Sequence, residues 1–253
     1  MSETKIVIGC CLETQNPILV YESAANGSLG DRLYVSGHDG EQQREPMTWQ
    51  SKLKIVREIA HAIAYLHTAF SRPIIHRNIQ PENIFLDQND VAKLTEFSLS
   101  ISIPEGETQA VVDYLGGTAE LTEKVDVYSF GSFLLELYPE GGGGAGAEQQ
   151  VQAVLQLAHI CREQELLTAQ KSFDLAQLEN DDYACLVDYV KMKAAKNEIV
   201  DPALLAEEGG PGMEQQLQAV LHLALICTEG DPEERPTMLD VKKELIRIEK
   251  SIT

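Results

Sequence analysis

Trp49, Leu53, Val56, Ala60, Ile63 and His67 fall at three- and four-residue spacing behind Thr48, a residue suited to capping, and the stripe predicts a helix over 49–67. Beyond Thr122 the apolar positions become denser. Val125, Tyr128, Phe130, Leu134 and Leu137 leave little of a polar face, so the expected helix is buried on most sides. Pro139 and the glycine run Gly141–Gly146 end it. Further helices are expected near 149–166, 183–195, 213–227 and 237–250. Short strand patterns occur earlier, at Lys5–Leu12 and Ile18–Glu22 around a polar turn at Asn16-Pro17, then at Ile84–Leu86 and Ala92–Leu94. Ser36–Glu45 reads as a loop. Strands first and helices afterwards predict an α+β chain.

One helical pattern occurs twice. Gln149-Gln-Val-Gln-Ala-Val-Leu-Gln-Leu-Ala-His-Ile-Cys161 returns almost unchanged as Gln215-Gln-Leu-Gln-Ala-Val-Leu-His-Leu-Ala-Leu-Ile-Cys227. A solenoid needs about three stacked units or more, so the pair reads as a local duplication adding one amphipathic helix.

Composition narrows the function. The 253 residues hold 20 Lys+Arg against 40 Asp+Glu, a formal net charge of −20. Nucleic acid and anionic membrane surfaces both require a basic face that this balance does not supply. Five cysteines, one adjacent pair and three singletons, give neither a disulfide framework nor a paired-cysteine metal site. That usage points to a reducing, cytoplasmic setting. No signal-peptide pattern opens the chain, and no apolar run is long enough to span a membrane. The run Gly141-Gly-Gly-Gly-Ala-Gly146 formally satisfies G-x-G-x-x-G, but it follows a helix and has no Lys-Ser/Thr after it, so it reads as a linker.

The informative stretch is Ile74-Ile-His-Arg-Asn-Ile-Gln-Pro-Glu-Asn-Ile-Phe-Leu-Asp87, followed by Ala92-Lys-Leu-Thr-Glu-Phe-Ser98. It resembles the catalytic loop and metal-binding segment of protein kinases, H-R-D-x-K-x-x-N and then D-F-G. Flanking segments agree in order. Ile18-Leu-Val-Tyr-Glu22 resembles the strand leading into the hinge, Asn26-Gly-Ser-Leu29 the helix after it, Asp126-Val-Tyr-Ser-Phe-Gly131 the central C-lobe helix, and Asp231-Pro-Glu-Glu-Arg-Pro236 a late C-lobe turn. Gly9-Cys-Cys-Leu-Glu13, Tyr21 and Ile199-Val-Asp-Pro202 are similar to plant receptor-like kinases and their cytoplasmic relatives. The stretches His76–Phe85 and Glu96–Glu105 resemble the HopZ-ETI-deficient group of plant immune pseudokinases.

The resemblance implies a kinase-like fold, mainly the helical C-lobe at 23–253, with residues 1–22 as a remnant of the N-lobe sheet, its fourth and fifth strands. The Gly-rich run and duplicated helix form an insertion at about 140–180. It also implies a chain beginning after the Gly-rich loop, the third-strand lysine and the helix glutamate, that is, an N-terminally truncated kinase domain. Within the matched motifs the chemical positions have changed. Asn78 stands where the family has its base, and a carboxamide accepts no proton at neutral pH. Gln80 replaces a lysine that neutralises the transferring phosphate. Glu96 replaces the Mg²⁺-holding aspartate and is one methylene longer, a displacement that octahedral Mg²⁺ tolerates poorly. Ser98 replaces a glycine at a hinge expected to use unusual backbone angles. Asn83 keeps its family identity.

Architectural expectations follow from the same match. Asp126 should accept backbone N–H bonds from the loop at His76 and Arg77, His76 should be a packed core residue, and Phe97 should pack beneath it. Glu120 should pair with Arg235, since the family closes this contact with a glutamate. His61, His67, His159 and His222 have no ligand-like partners in the sequence and read as helix-face residues. Tyr21, Glu22, Ala24 and Asn83 would line a residual nucleotide cleft. The implied function is a catalytically inactive protein-binding adaptor or decoy in plant immune signalling. Implied partners are a nucleotide-binding leucine-rich-repeat (NLR) receptor or other receptor-like cytoplasmic kinases, with peripheral attachment to the plasma membrane through them. No metal or cofactor is expected, and the N-lobe strands could mediate self-association. The alternatives are a divergent Ser/Thr kinase with residual ATP and Mg²⁺ binding, and a degenerate product without a selected function.

Overall fold

The computed structural model describes residues 7–11, 18–33, 47–114, 117–137 and 211–251. The helices expected at 149–166 and 183–195, the loop 36–45 and the insertion near 140–180 lie outside the described residues.

Helix α2, Trp49–Thr68, is the spine; the short α1, Leu29–Leu33, precedes it. Thr48 is extended and its hydroxyl accepts the Ser51 N–H, satisfying one of the open donors of the first turn. The predicted stripe is buried, but so are Ile55, Ile59, Ala62, Ala64 and Leu66. More than one face is covered because several elements pack on the same helix. Helix α5, Met238–Lys250, lies along it with Met238, Val241, Leu245 and Ile248 inward, capped by Thr237. Arg57 reaches Glu249 at 3.1 Å across that contact. Full burial of aliphatic side chains of this size contributes about 1.5–3 kcal/mol each.

Helices α3, Lys124–Glu136, and α4, Pro211–Cys227, form the second packed pair. Both begin within two residues of the boundaries that the sequence predicts. At Gly131 a Cβ would lie 2.7 Å from Cys227 Cβ and 2.8 Å from Thr228 Cγ2, so the bare backbone sets how closely the helices approach. Gln216 is the buried polar tie between helices. Its Oε1 accepts from Trp49 Nε1 and Gln50 Nε2, each at 3.2 Å, and its Nε2 donates to the Ile248 carbonyl at 3.1 Å.

The strands form small antiparallel pairs. β1, Val7–Cys11, pairs with β2, Ile18–Tyr21, through a bulge between Val7 and Gly9. β4, Ile84–Leu86, pairs with β5, Ala92–Leu94, as the sequence predicts. Two further pairs are absent from the sequence reading. β3, Ile74–Ile75, meets β6, Ile101–Ser102; β7, Ala110–Tyr114, meets β8, Gly117–Leu121. A large core surrounds α2, while Ile75, Ile103, Ala110, Ala119 and Leu121 make a separate small one beneath the β7–β8 hairpin. No helix among the described residues is long and apolar enough to cross a membrane.

Candidate functional site

The chain leaves α2, runs through β3 and turns into the loop 76–83. One carboxylate organises that turn. Asp126, fully buried on the first turn of α3, accepts the His76 N–H at Oδ2, 2.7 Å, and the Arg77 N–H at Oδ1, 2.8 Å. Two consecutive amides reach one carboxylate because Arg77 adopts a φ of 70°, in the left-handed region that non-glycine residues rarely occupy. His67 completes the set. Its Nε2–H donates to Asp126 Oδ2 at 2.9 Å, so it is a buried partner of the loop rather than the helix-face residue that its sequence context suggests. Its burial at the last turn of α2 is set by tertiary packing, which spacing alone does not reveal.

His76 is fully buried, and both ring nitrogens are used. Nε2–H donates to the Thr95 carbonyl at 2.8 Å, and Nδ1 accepts the Asn78 N–H at 3.2 Å. That pairing fixes the neutral ring in one tautomer. Burial holds its pKa below the ordinary histidine value, although Asp126 and the Thr95 carbonyl pull the other way. Phe97 packs edge-on against the ring, centroids 4.7 Å apart. The Arg77 guanidinium reaches the Leu99 carbonyl at 3.2 Å, and burial lowers its pKa too.

The far end of the loop is closed by Asn83. Its Nδ2 donates to the Asn78 carbonyl at 3.0 Å, and its own carbonyl accepts both the N–H and the hydroxyl of Thr95, at 2.9 and 2.8 Å. Asn78 and Gln80 are half-buried. Tyr21 ends β2, and Glu22 and Ala24 follow on the way to α1. That stretch is tied to β4 by Asn26 N–H to the Leu86 carbonyl and Leu86 N–H to the Gly27 carbonyl. The structure thus brings the hinge-like segment beside the strand that follows Asn83.

Glu96 is exposed with a φ of 58°, and Ser98 lies in the 3-10 turn Phe97–Leu99. The unusual backbone angle therefore falls at the carboxylate and not at Ser98, where the sequence reading put it. The Ser98 hydroxyl sits 3.5 Å from Glu96 Oε2. A divalent cation of the kind the family uses would draw on Asn83 and Glu96. Asn83 ties its amide nitrogen to the loop, so Oδ1 is the atom it would offer a cation.

The expectation for Glu120 is overturned. It lies on β8 opposite Val111 and is exposed. Arg235 is half-buried beside the start of α3. Its Nε donates to the Glu229 carbonyl at 2.7 Å, its Nη1 to the Lys124 carbonyl at 3.2 Å, and the guanidinium lies 4.8 Å from the centroid of the Tyr128 ring. Lys124 Nζ in turn donates to the Arg235 carbonyl. The physical reason is the hairpin: cross-strand pairing turns alternate residues of β8 outward, which carries Glu120 away while Ala119 and Leu121 face the core.

The sequence pattern of the family described as "Protein tyrosine and serine/threonine kinase" matches residues 3–177. The chain is 36% identical over 259 residues to "Non-functional pseudokinase ZED1" of Arabidopsis thaliana, covering 96% of this chain and 67% of that protein. It is 34% identical over 259 residues to "Serine/threonine-protein kinase ZRK1" of the same plant, covering 97% and 64%. Against "Wall-associated receptor kinase 3" it is 34% identical over 260 residues, 97% of this chain and 30% of the relative. The chain thus spans about two thirds or less of the length of these curated relatives.

Proposed function

Since the chain belongs to the protein tyrosine and serine/threonine kinase family, we propose that it is a pseudokinase, a kinase-fold module that binds protein partners and transfers no phosphate. The observation that carries this reading is Asn78, at the position where the family has the base that accepts the substrate's hydroxyl proton. His76 does not replace it, because burial favours its neutral ring and both its nitrogens are engaged. Gln80 supplies no charge to a phosphate, and Glu96 is one methylene longer than the aspartate it replaces, which octahedral Mg²⁺ tolerates poorly. Two relatives in the same range of identity are named non-functional pseudokinases.

The biological role we infer is that of an adaptor or decoy in plant immune signalling, in the cytoplasm, with an NLR receptor or another receptor-like cytoplasmic kinase as partner. Attachment to the plasma membrane would come through those partners. The second reading, a divergent Ser/Thr kinase with residual ATP binding, draws support from a relative named as a serine/threonine kinase and from the retained Asn83.

Thermal melting with and without Mg·ATP, together with a phosphate-transfer assay on a generic basic protein substrate, separates the two. The expected result is no Mg²⁺-dependent shift and no transfer. A ligand at 100 times its Kd would add about 2.7 kcal/mol, a rise of several degrees, and that outcome would sink the inactive reading. Affinity capture from plant tissue should return a specific protein partner. Failure to capture one under conditions where a known complex survives would count against the adaptor role.

A further inference from the structure

The segment that leads from β2 into α1 is pinned by one side chain. Asn26 Nδ2 donates to the Asp87 carbonyl at 3.0 Å and to Asp90 Oδ1 at 2.7 Å, so both amide hydrogens are given to the turn between β4 and β5. The main chain follows the same route. Asn26 N–H donates to the Leu86 carbonyl, Leu86 N–H donates to the Gly27 carbonyl, and Ser28 bridges Phe85. Further on, Gly30 in α1 meets the 3-10 turn Pro81–Asn83 so closely that a Cβ there would lie 3.2 Å from Glu82 Cγ and 3.3 Å from its main-chain nitrogen. Through α1, the Asn26 tie therefore bears on the far end of the loop 76–83.

The same asparagine is the one in the sequence that glycine follows, and a glycine leaves the next amide nitrogen unshielded by any side chain. We propose that Asn26 is a deamidation site, and that its conversion unpins α1 from the β4–β5 turn. In the reaction the Gly27 nitrogen bonds to Asn26 Cγ, the Cγ–Nδ2 bond breaks, and ammonia leaves with the Gly27 amide proton. The co-reactant is water. It adds across one of the two imide C–N bonds of the cyclic intermediate. Opening one bond restores the chain with aspartate at 26, and opening the other routes the main chain through Cβ and Cγ as isoaspartate.

Either product reverses the contacts. An ionised carboxylate has no hydrogen to donate, so the Asp87 carbonyl loses this partner and the Asp90 carboxylate meets a like charge at hydrogen-bond distance. Arg32 Nη1, 3.6 Å from the same Asp90 oxygen, and Lys54 Nζ, which donates to the Asp90 carbonyl at 2.8 Å, offset charge. They do not turn an oxygen–oxygen contact into a hydrogen bond. The native fold guards the site. Asn26 is half-buried, the Gly27 N–H is given to the Ala24 carbonyl at 3.3 Å, and the side-chain amide is held on the turn, so ring closure waits for local opening. The conversion is then one-way, because the segment that reacts has lost the donors that reclose it. It is independent of phosphate transfer.

Incubation of the full chain at neutral pH and physiological temperature, followed by peptide mapping with mass detection, tests the site. The expected result is conversion at Asn26 to aspartate and isoaspartate, about tenfold or more slower than in the same chain unfolded in urea. No native conversion over a period that converts the unfolded chain completely would overturn the proposal. Native conversion as fast as unfolded would overturn it too, since the segment would then not be pinned. Hydrogen exchange on the Asn26→Asp chain reads the consequence. Exchange should quicken by about tenfold across 26–33 and 86–91 and stay unchanged along α2 and α5. Adding Asp90→Asn should recover most of the protection, because an amide at 90 returns a donor to the contact and asparagine accepts the φ of 52° found there. Unchanged exchange in Asn26→Asp, or a double variant with no recovery, would overturn the unpinning.

Discussion

The loop around His76 and the hairpin β7–β8 lie within fifty residues of each other, yet they depart from the kinase pattern in different ways. In the loop the resemblance to the kinase motif implies replacement of the positions that act on substrate, at Asn78, Gln80 and Glu96, while Asp126, His76, Asn83 and Thr95 hold the backbone. In the hairpin, cross-strand pairing runs from Ala110↔Leu121 to Tyr114↔Gly117, seated on a small core of its own. The contrast teaches that catalytic side chains can change without moving the chain that carries them, because Asp126 holds that chain from behind. The described residues of the hairpin are held by cross-strand pairing and a few apolar contacts.

Removing Asp126 breaks the first region outright. Asp126→Ala leaves the His76 and Arg77 N–H groups and the His67 Nε2–H unanswered in a buried site, and the expected loss is about 3–5 kcal/mol in urea unfolding. A loss below about 1 kcal/mol would mean that the loop is held by something else. Leu121→Ala is the matching change in the hairpin, with an expected loss of about 2–3 kcal/mol. Hydrogen exchange sharpens the comparison. Protection should fall across 110–121 and stay in place across 76–95; a parallel fall in both would show that the regions are one cooperative unit.

How much of this was legible in the sequence follows the same division. The loop could be read because its motif is dense in specific residues at fixed spacing, and the resemblance to kinases implies the Asp126 contacts with His76 and Arg77. His67 could not be read this way, since nothing local distinguishes a histidine that meets a carboxylate 59 residues away from one on a solvated face. The hairpin left a weaker trace. Val112 and Ala119 alternate with Val111 and Glu120 on either side of Leu115-Gly116, a two-residue hairpin signal that the sequence reading passed over. Misreading it also misplaced Glu120, because alternation sends residue 120 outward. Helix existence was clear from periodicity, whereas the extra buried faces of α2 come from tertiary packing.

Arg235 bears on how α3 is anchored behind both regions. Arg235→Ala removes charge-assisted bonds to the Glu229 and Lys124 carbonyls and the contact with Tyr128, for an expected loss of about 1.5–3 kcal/mol. A negligible loss would transfer the anchoring to the apolar contacts of α3 and α4.

Acid should weaken the loop more than the hairpin. The unfolded chain protonates His76 near its ordinary pKa of about 6.5, whereas burial keeps the native ring neutral to lower pH. In that window the unfolded state binds more protons, so stability rises with pH there and falls as pH drops from 7 through about 6.5 toward the lowered native value. The slope is at most about 1.4 kcal/mol per pH unit from this residue. His76→Gln should melt lower at pH 7 but lose less on acidification to pH 5.5. An undiminished acid loss in that variant would assign the titration to another group.

The smallest effect belongs to Glu120. An exposed strand residue opposite Val111 contributes little, so Glu120→Ala should shift stability by no more than about 0.5 kcal/mol. If Glu120 instead closed the family's contact with Arg235, its removal would strand a half-buried guanidinium and cost several times that. Coupling decides between the two, since the double variant with Arg235→Ala should show additive losses within about 0.5 kcal/mol. Non-additivity beyond that would restore a connection between β8 and the turn at Arg235, and with it the contact that the resemblance to kinases implies.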